Sequence, residues 1–135
     1  MELYILEEDI IRNIQQNFQK HYPHLKLQFY KNPHGKGEPS PRQESLSPLL
    51  PIEEVTMFHT SGRINIDPVR TVAEVEHDFY RLMGLCVQIF RQAGDLWLET
   101  TGTDCQTLQQ QEDKGKESMN TAPDEPEEYD LSDRD

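Results

Sequence analysis

The sequence predicts an α+β domain. It has two β-α-β halves in the split arrangement of the ferredoxin-like fold, a strand added by a C-terminal hairpin, helices on one sheet face, and a disordered acidic tail. Three observations lead there. Strand-like and helix-like periodicities follow one another in the order β-α-β, and then do so again. The two runs align residue by residue. A two-residue turn signal, Gly94-Asp95, folds the end of the second run back on itself.

The first strand is "ELYIL", with Leu3 and Ile5 on one face and Tyr4 and Leu6 on the other. A helix over roughly Glu8 to His21 puts Ile10, Ile11, Ile14 and Phe18 on one stripe, and Glu7, Glu8 and Asp9 suit the positive end of its dipole. Pro23 stops it, and "LKLQFY" follows with Leu25, Leu27 and Phe29 alternating. In the second half "RINID" is a strand with Ile64 and Ile66 inward. Thr71 to Glu74 matches a capping box ahead of a helix with Val72, Val75, Phe79, Leu82 and Met83 on its stripe. Gly84 stands where a left-handed cap is needed, and "LCVQIFRQ" is the next strand.

Offset by 61 positions, Ile5, Ile11, Ile14 and Phe18 fall on Ile66, Val72, Val75 and Phe79. After a one-residue deletion at the helix end, "LKLQFYK" falls on "LCVQIFR", with Leu25/Leu85, Gln28/Gln88, Tyr30/Phe90 and Lys31/Arg91 matched in kind. Amphipathic periodicity alone would not reproduce the glutamine and the terminal base, which suggests an internal duplication. Tandem β-α-β units with right-handed crossovers give the split arrangement.

The halves are joined by residues 32–51, whose five prolines predict an irregular loop, and "PIEEVTMFHTSG" then reads as a short helix with Ile52, Val55 and Phe58 inward. After the hairpin, "TDCQTLQQQ" reads as a capped helical turn that ends the ordered domain at residue 111. Residues 112–135 hold ten acids against three bases and almost no aliphatic side chains, too little to offset ordering entropy, so they read as a disordered tail.

Of the net charge of −12, the tail carries −7 and leaves −5 on residues 1–111. An acidic body argues against binding nucleic acid or an anionic membrane surface. No apolar run approaches the roughly 20 residues of a membrane span. Two lone cysteines, Cys86 and Cys105, without a basic-then-apolar leader, indicate reduced thiols in a cytoplasmic protein.

With a two-residue turn, Val87 and Ile89 share a face with Leu96 and Leu98. The opposite face takes Gln88, Phe90, Trp97, Glu99 and Thr101, and Tyr4 and Tyr30 point the same way. Tyr4, Tyr30, Phe90 and Trp97 among amides and charges have the composition of an interaction surface. Residues 41–60 or 103–111 could instead fold over that face. Base stacking on it would need the basic strand motif that is missing.

No catalytic or metal constellation stands out. "HGKGEPS" lacks the spacing of a phosphate loop, although His34, Lys36 and Arg42 could contact an anion, and a small-molecule or anion-sensing domain with residues 31–42 at its site is the alternative function. His21 and His24 lack a third ligand. His77 sits on a polar helix face, Cys86 within a strand, and Cys105 has no histidine near it in sequence. The reading is a non-enzymatic module without a cofactor, engaging a protein partner or itself.

The segment "VQIFRQAGDLWLETTGTDCQTLQQQ", with "YPHLKLQFYKNPH" and "HTSG", resembles an uncharacterised family of small bacterial proteins. Cys105-Gln106 departs from it where a Trp is expected. The resemblance implies a soluble bacterial protein and brings no activity, cofactor or catalytic residue.

Overall fold

A computed structural model describes residues 1–32, 42–56 and 61–120. Its elements are β1 (Glu2–Ile5), α1 (Ile11–His21), β2 (Leu25–Tyr30), β3 (Gly62–Asn65), α2 (Val72–Met83), β4 (Cys86–Ala93), β5 (Leu96–Glu99) and α3 (Leu108–Asn120), with 3-10 turns over Arg42–Glu44, Ile52–Glu54 and Thr101–Thr103. The α+β class is as expected. The single sheet is not. β1 pairs antiparallel with β3, and a separate antiparallel sheet runs β2-β4-β5. A ferredoxin-like sheet would place β2 beside β3. Here β2 lies beside β4, so each sheet takes one strand from each half.

Local chemistry explains α2 well. The Thr71 hydroxyl accepts from Glu74 N while the Glu74 carboxylate accepts from Thr71 N, and Gly84 closes the helix at φ 67°. Val72, Val75, Phe79 and Met83 are buried, but Leu82 lies outside the stripe, 41 % exposed. α1 begins at Ile11, later than expected. The acids before it fall outside its first turn, and Asp9 instead accepts from Leu6 N. Phe18, Phe29 and Phe79 are fully buried, with Phe29 edge-on to Phe79, so both helices cover the Leu25–Leu27–Phe29–Val87–Ile89 face.

The two halves repeat one set of backbone contacts. Ile11 N donates to Leu50 O and Arg12 N to Pro48 O; at positions offset by 61, Val72 N donates to Gln106 O and Ala73 N to Asp104 O. Ile10 bridges Pro51 as Thr71 bridges Thr107. Ile52 N donates to Asp9 O as Leu108 N does to Arg70 O. Beside β2, Tyr30 bridges Ser45, where β4 has Phe90 opposite Glu99. Matching residues meet at the two pairings between halves, Leu3 opposite Ile64 and Gln28 opposite Gln88.

The last helix corrects the expected domain end. Chain expected to be tail from residue 112 continues as α3 to Asn120. The Thr107 hydroxyl accepts from Gln110 N, and Gln110 Oε1 accepts from Thr107 N, which closes its first turn. Leu108 joins the core, and beyond it the inner face is polar. Gln111 donates to Thr103 O, and Glu112 takes His24 N at 2.9 Å and His24 Nδ1 at 2.6 Å. Ser118 bonds the hairpin at Gly94 N and Gln92 O. A Cβ on Gly115 would lie 2.7 Å from the His24 Cβ, so glycine sets how closely α3 approaches. The rest of the expected tail, residues 33–41 of the 32–51 loop and Phe58 lie outside the described residues.

Candidate functional site

The hairpin register is as the two-residue turn predicts: Ala93 pairs with Leu96, Gln92 with Trp97, Arg91 with Leu98 and Phe90 with Glu99. Gly94 takes φ 62° at the turn. Phe90 and Trp97 therefore share the face opposite the core, both half-buried. Lys26, directly across from Phe90 on β2, places its ammonium 5.8 Å from the Phe90 ring centroid and 5.0 Å from that of Trp97.

The other two aromatics expected on this surface are elsewhere. Tyr4 projects from β1, in the other sheet, 60 % exposed. Tyr30 is buried at the far end of β2, where Leu46 N donates to Phe29 O and Lys31 N to Glu44 O. Gln88 is also buried, so the centre of the face is closed and its aromatic part lies towards the hairpin. Residues 44–46 run along the edge of β2, as a neighbour in the plane of the sheet rather than a cover over its face. Of the anion contacts considered, His34 and Lys36 lie outside the described residues, and Arg42 opens a 3-10 turn.

A second feature joins residues that are far apart in sequence. A cleft of about 660 Å³ runs between α2 and the start of β4, and its end is formed by the chain after β5. Ala73, Glu76, His77 and Tyr80 line it from the helix, Cys86 and Val87 from the strand, and Asp104 and Cys105 from the loop. Glu76 and Asp104 are buried. The Glu76 carboxylate accepts from Ile89 N at 2.8 Å, which holds the helix against the strand. The His77 ring and the Tyr80 hydroxyl have no hydrogen-bond partner among the described residues. Burial pushes the Cys86 thiol up, which keeps it protonated and a poor nucleophile near neutral pH. Among the described residues no three His, Cys, Asp or Glu side chains are grouped to hold a metal ion.

Sequence reasoning took His77, Cys86 and Cys105 one at a time and found no partner for any of them. The signal that could have joined them is the residue-by-residue alignment of the two halves. A smaller cleft of about 240 Å³ lies against α1, lined by Gln15, Gln16, Gln19, Lys26 and Leu27. The helix positions offset by 61 and the strand positions offset by 60 are Glu76, His77, Tyr80, Cys86 and Val87. The same groove occurs in both halves, with different chemistry. No family model matches the chain, and no curated protein or solved structure matches it. Among the described residues no helix is long and apolar enough to cross a membrane.

Proposed function

We propose that this chain is a non-enzymatic interaction module, built from two copies of one β-α-β unit, that pairs with a second copy of itself through the hairpin end of the β2-β4-β5 sheet. The repeated contacts of the two halves and the symmetric pairings Leu3–Ile64 and Gln28–Gln88 support the duplication.

The observation that carries the self-pairing is a row across three strands: Lys26 on β2, Phe90 on β4, Glu99 on β5. Its charge reverses sign about Phe90. A two-fold axis parallel to the strands and passing over Phe90 turns this row onto itself with its direction reversed. Each Lys26 then faces the partner's Glu99, and the aromatic residues meet in the middle. Self-complementarity of this kind is what a two-fold interface needs, and aromatic anchors within a polar rim supply its binding energy.

Sedimentation equilibrium of the full chain across a wide concentration range tests this. The expected result is a reversible dimer that Phe90→Ala or Trp97→Ala dissociates. Lys26→Glu and Glu99→Lys should each weaken it, and the double exchange should restore it, because the row is then reversed but still complementary. A chain that stays monomeric up to about 1 mM, a dissociation constant worth only ~4 kcal/mol, refutes the reading. So does a dimer indifferent to all four changes.

A further inference from the structure

The α3 side of the same sheet carries a charge that self-pairing leaves alone. Arg91 follows Phe90 on β4, so its side chain leaves the strand on the opposite face, beneath α3. A Cβ on Gly115 would lie 3.5 Å from the Arg91 Cγ, so the helix passes directly over the arginine stem. The residue is half-buried, yet its guanidinium donates only once, over 3.5 Å from Nη1 to Gln92 O. It forms no ion pair, and it is not among the residues that have further partners. Burial pushes its pKa down, and no carboxylate offsets the shift. Glu112 stands just under one turn before Gly115 on α3, but both its oxygens are taken by His24, one by the backbone N–H and one by Nδ1. A half-buried guanidinium with free donors calls for an anion, and a carboxylate fits its fork best.

We infer that the partner is the acidic end of this chain: a carboxylate from residues 124–128 pairs with Arg91. Position selects it first. Ser118 Oγ donates to Gln92 O at 3.2 Å, the same oxygen that receives Arg91 Nη1, so the guanidinium lies beside the last turn of α3. The described chain ends at Asn120, and Asp124 is four residues further on, a reach of up to roughly 14 Å. Charge selects it next, because residues 121–135 hold seven acids and one base. The tether adds to both. Carboxylates of the same chain act at an effective concentration in the millimolar range, which a foreign acidic peptide would have to exceed. The pair anchors the acidic segment beside the hairpin, on the side of the sheet away from Phe90 and Trp97.

A double-mutant cycle in the full chain tests this. One arm replaces four acids together, Asp124→Asn, Glu125→Gln, Glu127→Gln and Glu128→Gln; the other is Arg91→Gln. In a chain of net charge −12, losing four negative charges would by itself lessen self-repulsion and favour the folded state. The pairing predicts the opposite sign. At low salt the fourfold change should raise the unfolding constant about 3- to 10-fold where Arg91 is present, and should not raise it beside Arg91→Gln. Arg91→Lys keeps the charge but not the fork, so its coupling should be intermediate. The Nε–Hε resonance of the unaltered Arg91 gives a second readout that does not depend on how its variants fold. It should move with the fourfold change and stay in place with Asp133→Asn and Asp135→Asn. A fourfold variant at least as stable as the wild type overturns the inference, as does an equal loss of stability with and without Arg91. An unmoved Nε–Hε resonance, or one that moves as far with Asp133→Asn and Asp135→Asn, overturns it too. So does a coupling that grows with protein concentration, since the acids would then belong to a second copy.

Discussion

The helix–strand groove of the first half and that of the second share a backbone plan and differ in what they can do. In both, the chain that follows the second strand of the unit returns to bond the helix start, through Pro48 and Leu50 in one half and Asp104 and Gln106 in the other. In both, a side chain at one helical position reaches the strand edge. Gln15 donates to Leu27 O at 2.9 Å, whereas Glu76 accepts from Ile89 N at 2.8 Å. At this matched position a neutral amide in the first half is replaced by a buried carboxylate in the second. The lesson is that two halves with the same backbone contacts at the helix start can carry grooves of different size and chemistry, amides and an ammonium in one and buried carboxylates, an imidazole and a phenol in the other.

Substitutions at matched positions can break this comparison. The largest effect is expected from Glu76→Ala, which takes the carboxylate acceptor away from the buried Ile89 N and should cost about 3 kcal/mol in urea unfolding. Gln15→Ala removes one neutral hydrogen bond and should cost about 1 kcal/mol. Equal losses would mean that the two contacts are energetically alike, and the contrast between the grooves would fail.

Next comes a buried phenol that the first half alone possesses. Tyr22 donates to Ile66 O at 2.5 Å, and at the matching position stands Met83. Burial first, then the charges of Asp67 and Glu112, push the Tyr22 hydroxyl up to about 12. A raised pKa means stability that is complete below pH 10 and is lost as pH rises towards 12. The loss should reach roughly 2 to 3 kcal/mol over that interval, and Tyr22→Phe should flatten it. A wild-type curve as flat as that of the variant would remove this asymmetry.

Smaller still is the cap. Thr71→Ala should cost about 1 kcal/mol through the lost bond to Glu74 N, whereas Ile10 at the start of α1 has no side-chain cap to lose. The smallest effect lies at the acid end. Burial raises the Asp78 carboxyl, but hydrogen bonds from Arg70 and Arg81 outweigh it and hold the group below its usual range. Its contribution is therefore present above about pH 4 and is lost as pH falls through the lowered folded value. The counterpart in the first half is Asn17, which cannot titrate. Asp78→Asn should give a shallower acid unfolding curve, and Asn17→Ala should leave its shape alone.

How legible these features were in the sequence follows from how local they are. The capping box at Thr71, the left-handed Gly84 and the Gly94-Asp95 turn each depend on neighbours within a few positions, so residue chemistry specified them. α3 was cut short because beyond Leu108 its inner face is Gln111, Gly115 and the half-buried Ser118 rather than aliphatic. Hydrophobic periodicity does not register a helix docked by glutamine and serine hydrogen bonds. The pairing of β2 with β4 instead of β3 is non-local, and alternation within a strand cannot choose between neighbours. For the same reason Tyr4 and Tyr30 were grouped with Phe90 and Trp97 although the sheets part them. The groove could have been inferred by placing Gln15, Gln16 and Gln19 over Glu76, His77 and Tyr80, since the alignment already put them together.

The pairing of strands also bears on synthesis. Apart from the β4–β5 hairpin, the strand ladders among the described residues join one half of the chain to the other. When the first half leaves the ribosome, β1 and β2 have edges that nothing yet made can cover, and β2 must wait until Cys86 to Arg91 emerge. Folding therefore cannot proceed one unit at a time, however alike the units are. The nascent first half, with Leu25, Leu27 and Phe29 covered by α1 alone and the β2 edge unpaired with β4, is the stage at which this protein is most open to capture by a chaperone or by another nascent copy of itself.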